Sequence, residues 1–254
     1  MPTRDSAWPA GTPCWIDYDA ADVDAAKRFY TDVLGWDYTG GEPEYGGYLI
    51  CTTHDRPAAG MGPQQDPGTP PRWTTYFASD DVDMSAATIA QAGGTVHVPP
   101  TDVGPMGRMA LALDPQGNPF GIWQSGVHTG AQVYNEPGAL IWSEAAVDDV
   151  EPAKSFYGQV FGFSFTELPE MGGYTTFATT GDPLGGISRH EPGVPKGWST
   201  CFGVASADTA VAAVESAGGK TLMPAQDSQY GRFAVLEDPG GAPFSIMETV
   251  PADL

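Results

Sequence analysis

Two carboxylates each follow a tryptophan by two residues, at matching places in the two halves of the chain. Asp17 follows Trp15 in the stretch WIDYD, and Glu144 follows Trp142 in WSEAA. Because alternate residues of a β-strand face the same side, each tryptophan and its acid are predicted to share one strand face. A carboxylate in an apolar cavity has a raised pKa and can act as a general acid or base. Asp17 and Glu144 are therefore the candidate catalytic residues.

These pairs belong to a duplication of a domain-sized unit, about 125 residues long by its offsets. Equivalent positions recur along both copies: Phe29 and Phe156, Trp73 and Trp198, Gly93 and Gly218, and Asp114 and Asp238. The offset drifts only from 127 to 124 residues across these pairs. We predict one domain over residues 11–126, a Gly-, Asn- and Pro-containing linker over 127–137, and a second domain over 138–250.

Each copy has the same predicted order of elements. A short strand leads to a helix whose apolar residues recur at helical spacing, with Asp22 as N-cap and Gly35 as C-cap in the first copy. The strand-like stretches GGYLICTT and GGYTTFATT follow. A Trp-led strand, a second helix and a hairpin around DPQG or DPGG complete each copy. The pattern predicts an α+β fold with two βαβββ modules in each copy.

Composition restricts the partners. The net charge is −21, with 32 acidic against 11 basic residues. Such a surface repels phosphates, so neither nucleic acid nor an anionic membrane is expected as a partner. The N-terminus lacks the apolar core of a signal peptide, no apolar run is long enough to span a membrane, and three cysteines share no CxxC spacing. These features predict a cytoplasmic protein. The duplication predicts a monomer with internal two-fold symmetry or a homodimer.

The helices AAKRFYTDVLGW and PAKSFYGQVFGF, with the hairpins LDPQGNPFGIW and EDPGGAPFSIM, resemble the vicinal oxygen chelate superfamily. Glyoxalase I, bleomycin- and fosfomycin-resistance proteins and extradiol dioxygenases belong to it. The resemblance covers nearly the whole chain, once per copy. Among the members of the superfamily, the chain is more similar to tandem two-domain actinobacterial proteins, some of which accompany aromatic-polyketide antibiotic pathways. It implies that each domain curls two βαβββ modules into a half-barrel with a concave ligand site.

Metal-binding members of that superfamily place His or Glu on concave strand positions. The matching positions here are Trp15 and Trp142, Thr74 and Ser199, Gly121 and Ser245, and, more loosely, Gly60 and Gly186. None of these side chains is a good ligand for a divalent metal. We therefore predict that the chain keeps the scaffold without the chelate, and that it uses no metal or other cofactor.

The expected concave site has aromatic walls, small residues and a few polar groups. Its predicted lining residues are Trp15, Trp142, Thr74, Tyr76, Ser199, Cys201, Gly121, Trp123, Ser245 and Met247. Arg108 and Arg232 recur at matching positions and are predicted either to contact the ligand or to pair with Asp17 and Glu144. Such a cavity suits a flat organic molecule better than a phosphate.

Three classes of function remain open. The first is a metal-free protein that binds a hydrophobic or aromatic small molecule, for resistance or for natural-product biosynthesis. The second is a metal-free enzyme in which Asp17 or Glu144 acts as general base, and a glyoxalase-type lyase or a hydroxylase is its more distant variant. The third is a structural or regulatory protein with a vestigial cavity, in which the tryptophans only fill the half-barrels.

Overall fold

The computed structural model of the protein describes residues 2–191 and 194–249. The first half contains β1 (Pro13–Ala20), α1 (Val23–Leu34), β2 (Asp37–Gly40), β3 (Leu49–Thr53), β4 (Arg56–Pro63), β5 (Arg72–Ala78), α2 (Val82–Gln91), β6 (Thr95–Asp102), β7 (Gly107–Leu113) and β8 (Pro119–Ser125). The second half contains β9 (Leu140–Val147), α3 (Val150–Phe161), β10 (Ser164–Leu168), β11 (Tyr174–Ala178), β12 (Gly185–Arg189), β13 (Gly197–Val204), α4 (Ala207–Ser216), β14 (Lys220–Ser228), β15 (Gly231–Glu237) and β16 (Pro243–Glu248).

Each half of the chain forms one eight-stranded mixed sheet. The strand order is β2-β3-β4-β1-β5-β8-β7-β6 in the first sheet and β10-β11-β12-β9-β13-β16-β15-β14 in the second. The first strands of the two modules, β1 and β5, pair antiparallel at the centre, and each pairs in parallel with the last strand of its own module. The predicted α+β fold with two βαβββ modules per copy is confirmed.

The helices begin and end at local signals. The side chain of Asp22 accepts a hydrogen bond from the Ala25 N–H at 2.9 Å, and Gly35 ends α1 with a φ of 71°. In the second half, Asp149 and Gly162 take the same two roles around α3. A carboxylate at the N-cap satisfies a free N–H group, and glycine takes a left-handed conformation without strain. The predicted caps of α1 are therefore confirmed.

The hydrophobic cores are shared between the two halves. One core joins residues of α1 with β13, α4, β15 and β16, and the other joins α2, β7 and β8 with α3. Phe29 of α1 lies edge-on to Phe244 at 6.1 Å between ring centroids, and Phe156 of α3 lies edge-on to Phe120 at the same distance. Helices α1 and α3 thus each pack against their own sheet and against part of the other half.

Two equivalent hydrogen-bond chains cross between the halves. In the first, the Trp73 indole donates to the Tyr30 hydroxyl at 3.0 Å, and that hydroxyl donates to Asp238 of the other half at 2.9 Å. In the second, Trp198 donates to Tyr157 at 2.9 Å, and Tyr157 donates to Asp114 at 2.8 Å. This reciprocity is the contact pattern expected of the predicted two-fold symmetry.

The same aspartates hold their own turns together. The Asp114 carboxylate accepts from the backbone N–H groups of Gln116 and Asn118 at 2.8 and 2.9 Å, and the Asp238 carboxylate accepts from that of Ala242 at 2.9 Å. Both aspartates are buried. The DPQG and DPGG turns are therefore structural, and a buried carboxylate with this many donors is well satisfied.

The connection between the halves packs along the first sheet. Ala131 and Gln132 donate backbone hydrogen bonds to Cys14 and Pro57, each at 2.8 Å, and Val133 is fully buried. The boundaries predicted for the domains and linker stay a prediction, and residue 250 lies outside the described residues. Within the described ranges, no helix has the length and apolar character needed to cross a membrane.

Candidate functional site

Neighbouring residues of β1 face opposite sides of the first sheet. Ile16 and Tyr18 lie in the core that contains Tyr30 of α1. Trp15 lies in a separate cluster, together with Tyr76 and residues of the N-terminal segment and the connection. The strand alternation therefore directs Trp15 and Asp17 to the concave face, away from the helices.

Strand register brings the predicted lining positions together. On the first sheet, Trp15 lies opposite Tyr76, Asp17 lies opposite Thr74 and beside Gly60, and Tyr76 lies beside Gly121. On the second sheet, Trp142 lies opposite Cys201, Glu144 lies opposite Ser199 and beside Gly186, and Cys201 lies beside Ser245. Each half thus has its own cluster around one tryptophan and one carboxylate. The roles of these residues stay predictions.

In the first half, the Asp17 carboxylate accepts two strong hydrogen bonds at one oxygen. The Tyr48 hydroxyl donates to Oδ1 at 2.6 Å, and the Trp15 indole donates to the same atom at 2.8 Å while lying 3.0 Å from the Tyr48 oxygen. Burial raises the pKa of Asp17 to about 6, and the hydrogen bonds from Tyr48, Trp15 and Tyr76 oppose part of that rise. A carboxyl with such a pKa can exchange a proton near neutral pH.

In the second half, the same groups form a linear chain. The Trp142 indole donates to the Tyr174 hydroxyl at 2.8 Å, and that hydroxyl donates to Glu144 at 3.1 Å. Burial raises the pKa of Glu144, and the hydrogen bond from Tyr174 opposes the rise. Burial, together with the nearby Glu144 charge, also raises the pKa of the Tyr174 phenol, so this hydroxyl is protonated at neutral pH.

The two tyrosines are functional candidates that the sequence reasoning missed. Tyr48 and Tyr174 are the tyrosines of the repeated GGY in GGYLICTT and GGYTTFATT, which is the signal that could have found them. Each phenol occupies space that a glycine leaves free. A Cβ atom on Gly60 would lie 1.8 Å from the Tyr48 oxygen, and one on Gly186 would lie 1.9 Å from the Tyr174 oxygen.

The positions matched to metal ligands do lie side by side, but their side chains do not fit a metal. Trp15, Thr74 and the two glycines at 60 and 121 offer no imidazole, thiolate or carboxylate, and phenols fill the space above Gly60 and Gly186. Among residues 2–191 and 194–249, no group of three or more His, Cys, Asp or Glu could hold a metal ion. The functional groups that this site offers are therefore indole, phenol and carboxyl groups.

The expected pairing of the two arginines with Asp17 and Glu144 was wrong, whereas their contact with a ligand stays a prediction. Arg108 forms salt bridges with Asp83, at the start of α2, and with Asp102 at 2.6 Å. Arg232 pairs in the same way with Asp208 at 2.9 Å and Asp227 at 3.1 Å. Each arginine is one residue out of phase with the concave positions of its strand, so it faces a helix. Asp17 and Glu144 are instead bonded to tyrosine hydroxyls.

The two concave faces differ in how fully they are filled. Trp15 is 2% exposed, and Tyr76 and Trp123 are each 7% exposed. The His128 ring lies edge-on to Trp15 at 4.3 Å and to Trp123 at 5.3 Å. Burial lowers the pKa of His128 to about 4, so it is neutral near pH 7.

On the second sheet, smaller or more flexible side chains replace those aromatic ones. Cys201 stands at the position of Tyr76, Ser245 at that of Gly121, and Met247 at that of Trp123. Trp142, Glu144 and Met247 are only partly buried. The second concave face is therefore the more accessible of the two.

A pair of βαβββ half-barrels that share their helical layers defines the class of protein, and comparison with known proteins agrees. Residues 15–122 match the glyoxalase/bleomycin resistance protein/dioxygenase superfamily, and residues 140–180 match the bleomycin resistance protein-like N-terminal family. A candidate glyoxylase of Mycobacterium tuberculosis is 38% identical over 260 residues, which cover 99% of both chains. The protein belongs to the glyoxalase/bleomycin resistance/dioxygenase superfamily.

Other relatives extend this comparison. The anthracycline biosynthesis protein DnrV of Streptomyces peucetius is 34% identical, with 94% of this chain and 93% of that one covered. Among solved structures, the Mn(II)-bound glyoxalase of Novosphingobium aromaticivorans has a TM-score of 0.68 at 16% identity, covering 94% of this chain and 82% of its own. A 2,2',3-trihydroxybiphenyl 1,2-dioxygenase of Sphingomonas wittichii strain RW1 has a TM-score of 0.65 at 17% identity, with 97% and 93% covered. At these identities the two structures show a shared fold.

Proposed function

We propose that the protein binds a flat aromatic small molecule of secondary metabolism, without a metal, on the concave face of the second sheet. The observation that carries the proposal is the Trp142–Tyr174–Glu144 chain at positions matched to metal ligands. Trp142 and Glu144 are partly buried there, so a ligand can reach them. The small side chains of Cys201 and Ser245 leave room that Tyr76 takes up on the first sheet.

The chemistry of this face suits an uncharged aromatic ligand. An aromatic ring stacked on an indole gains about 0.5–1.5 kcal/mol beyond the burial of its area. The Tyr174 hydroxyl and the Glu144 carboxylate provide directional hydrogen bonds. The net charge of −21 disfavours phosphorylated or other anionic ligands.

The relatives support the same class of ligand. Two Streptomyces relatives, 34% and 33% identical, are named as anthracycline biosynthesis proteins. Anthracyclines are built on fused planar rings, which fit an indole-walled face. The similarity supports a role in natural-product metabolism, either in handling an intermediate or in protecting the cell from one.

Binding of 2-hydroxyanthraquinone, followed by quenching of tryptophan fluorescence, tests this proposal. We expect Trp142→Ala to weaken binding by one to two orders of magnitude, about 1.4–2.7 kcal/mol, with the fold intact. Trp8→Phe, which removes an indole from the N-terminal segment, is the matched control and should bind normally. An unaltered affinity in Trp142→Ala, or no binding by the wild-type protein, would refute the proposal.

A second candidate function is metal-free catalysis by a buried carboxyl group. The observation that favours it is the raised pKa of Asp17, to about 6, and of Glu144. A general base is most effective when its pKa lies near the working pH. Replacing Glu144 or Asp17 by the corresponding amide should weaken a binding protein modestly, but should abolish turnover if that acid is the base.

A further inference from the structure

Tyr174 stands between a hydrogen-bond donor and an acceptor that both belong to the concave face. Its hydroxyl accepts from the Trp142 indole at 2.8 Å and donates to Glu144 at 3.1 Å. A neutral phenol can do both at once, whereas a ketone can only accept and a carboxylate would be repelled by Glu144. The environment of this hydroxyl therefore selects a hydroxyl group, and beside the Trp142 indole a phenol meets both requirements.

The tyrosine lies in space that a glycine leaves free. A Cβ atom on Gly186 would lie 1.9 Å from the Tyr174 oxygen and 2.1 Å from the ring carbon that carries it. Tyr174 is the first residue of β11 and is only partly buried, and Gly172 and Gly173 before it have φ angles of 68° and 85°. Small backbone changes at two glycines can therefore move the ring off Gly186.

The equivalent tyrosine of the first half, Tyr48, is also partly buried and also follows two left-handed glycines, but its hydrogen bonds and neighbours differ. Tyr48 donates to Asp17 at 2.6 Å, and Trp15 donates to the same carboxylate oxygen as well as approaching the tyrosine. The adjoining positions are filled by Tyr76 and Trp123, each 7% exposed. A ligand that displaced Tyr48 would meet these two aromatic rings, where the second face has Cys201 and Met247.

We infer that Tyr174 occupies, in the free protein, the place of a ligand phenol, and that a hydroxylated aromatic ligand displaces it to bond Trp142 and Glu144 directly. This inference rests on the proposed function and narrows its ligand class to phenolic, fused-ring molecules. The tyrosine acts as an internal competitor, so its two hydrogen bonds lower the apparent affinity for the ligand. The same bonds keep the donor and the buried carboxyl satisfied when no ligand is bound.

Two probes that differ by one hydroxyl group test the inference. Binding of 2-hydroxyanthraquinone and of 9,10-anthraquinone is measured at pH 6, where the hydroxyl of the first probe is protonated. Tyr174→Phe removes both hydrogen bonds of the competitor, so we expect about fivefold tighter binding of 2-hydroxyanthraquinone. Binding of anthraquinone, which has no hydroxyl group, should change less than about twofold. Tyr174→Ala also removes the ring, and we expect it to raise the affinity for 2-hydroxyanthraquinone relative to that for anthraquinone by at least as much.

Tyr45→Phe, which removes the hydroxyl of a tyrosine that is 66% exposed in the first half, is the control and should leave both affinities unchanged. If Tyr174→Phe and Tyr174→Ala bind 2-hydroxyanthraquinone no better than the wild-type protein does, the displacement is wrong, while wild-type binding that depends on Trp142 would still support the proposed function. If both probes gain affinity equally, the tyrosine only blocks space and the selection for a phenol is wrong. If neither probe binds any of these proteins, both proposals fail.

Discussion

On the concave face of the first sheet, Tyr76 and Trp123 occupy the positions that Cys201 and Met247 occupy on the second. Both faces keep a tryptophan, a tyrosine and a carboxylate in hydrogen-bond contact. On the first face Trp15 and Trp123 are buried, whereas Trp142 and Met247 on the second are only partly buried, and the carboxylate and tyrosine are partly buried on both. Two copies of one plan have therefore diverged, because a few large side chains make the first face part of the packed interior.

The largest expected difference between the two faces is in the stability lost on removing each tryptophan. Trp15→Ala should lower the free energy of unfolding by about 3–5 kcal/mol, because a buried indole leaves a cavity. Trp142→Ala should lower it by only about 1 kcal/mol, since part of that ring already contacts solvent. Urea denaturation of both variants measures the difference. Equal losses would contradict the contrast between a filled and an open face.

Cys201→Tyr places on the second face the residue that fills the first. We expect this change to weaken binding of 2-hydroxyanthraquinone by about a hundredfold, or about 2.7 kcal/mol, because the phenol ring occupies the ligand space. Cys201→Ser, which changes the volume little, serves as control, and urea denaturation checks that both variants fold. Undiminished binding in a folded Cys201→Tyr protein would locate the ligand elsewhere.

The two carboxyl groups should make stability depend on pH with a predictable sign. The pKa of Asp17 is raised from 3.8 to about 6 in the folded protein, so between about pH 4 and pH 6 the folded state binds more protons than the unfolded state. Stability from this group is therefore greatest below pH 4 and falls as the pH rises through 6, by on the order of 3 kcal/mol. The difference between wild-type and Asp17→Asn unfolding curves across this range measures it.

Glu144 provides the matching measurement in the second half. Its pKa is also raised by burial, so the difference between wild-type and Glu144→Gln curves should have the same sign. If the stability of the wild-type protein relative to either amide variant rises with pH instead, folding stabilises the carboxylate form of that residue and the prediction is wrong.

The two tyrosine hydroxyls should contribute unequally to stability. Tyr48→Phe removes the shorter bond, 2.6 Å to Asp17, and should lower the free energy of unfolding by about 1.5 kcal/mol. Tyr174→Phe removes its bonds to Trp142 and Glu144, at 2.8 and 3.1 Å, on a more exposed face and should lower it by about 1 kcal/mol. Thermal unfolding of the pair at one pH compares them, and the reverse order would contradict a firmer hold on Tyr48.

The smallest effects should come from the arginines. Arg108→Ala and Arg232→Ala each break salt bridges to exposed aspartates and should change the free energy of unfolding little, because solvent screens such pairs. Neither variant should alter binding of 2-hydroxyanthraquinone, since both arginines face helices. A marked loss of affinity in Arg232→Ala would return that residue to the site.

Local signals in the sequence were sufficient for the modules but not for the contacts between them. The caps at Asp22 and Gly35 act on their own helix, and strand alternation separates Trp15 from Ile16 without knowledge of any partner. The pairing of Tyr30 with Asp238 was not predictable, because it joins residues 208 positions apart. Helical spacing indicates that Tyr30 is buried, but not which half of the chain covers it.

The candidate site was likewise predictable only where its residues are close together in the sequence. Trp15 and Asp17 lie on one strand, so their shared face follows from spacing. Tyr48 reaches Asp17 only because β4 carries Gly60 beside it, a pairing set by sheet topology. The orientation of Arg108 depends on the register of a hairpin, in which a shift of one residue reverses the face.

The reciprocal Tyr30–Asp238 and Tyr157–Asp114 bonds imply that neither half of the chain is self-sufficient. A fragment ending in the connection would expose the apolar faces of two helices and leave a buried tyrosine hydroxyl and a buried aspartate without their partners. The two fragments, produced as separate polypeptides, should instead reassemble on mixing, because each holds the surface that the other needs. The connection between the copies is thus a natural junction for a two-piece reporter of protein association.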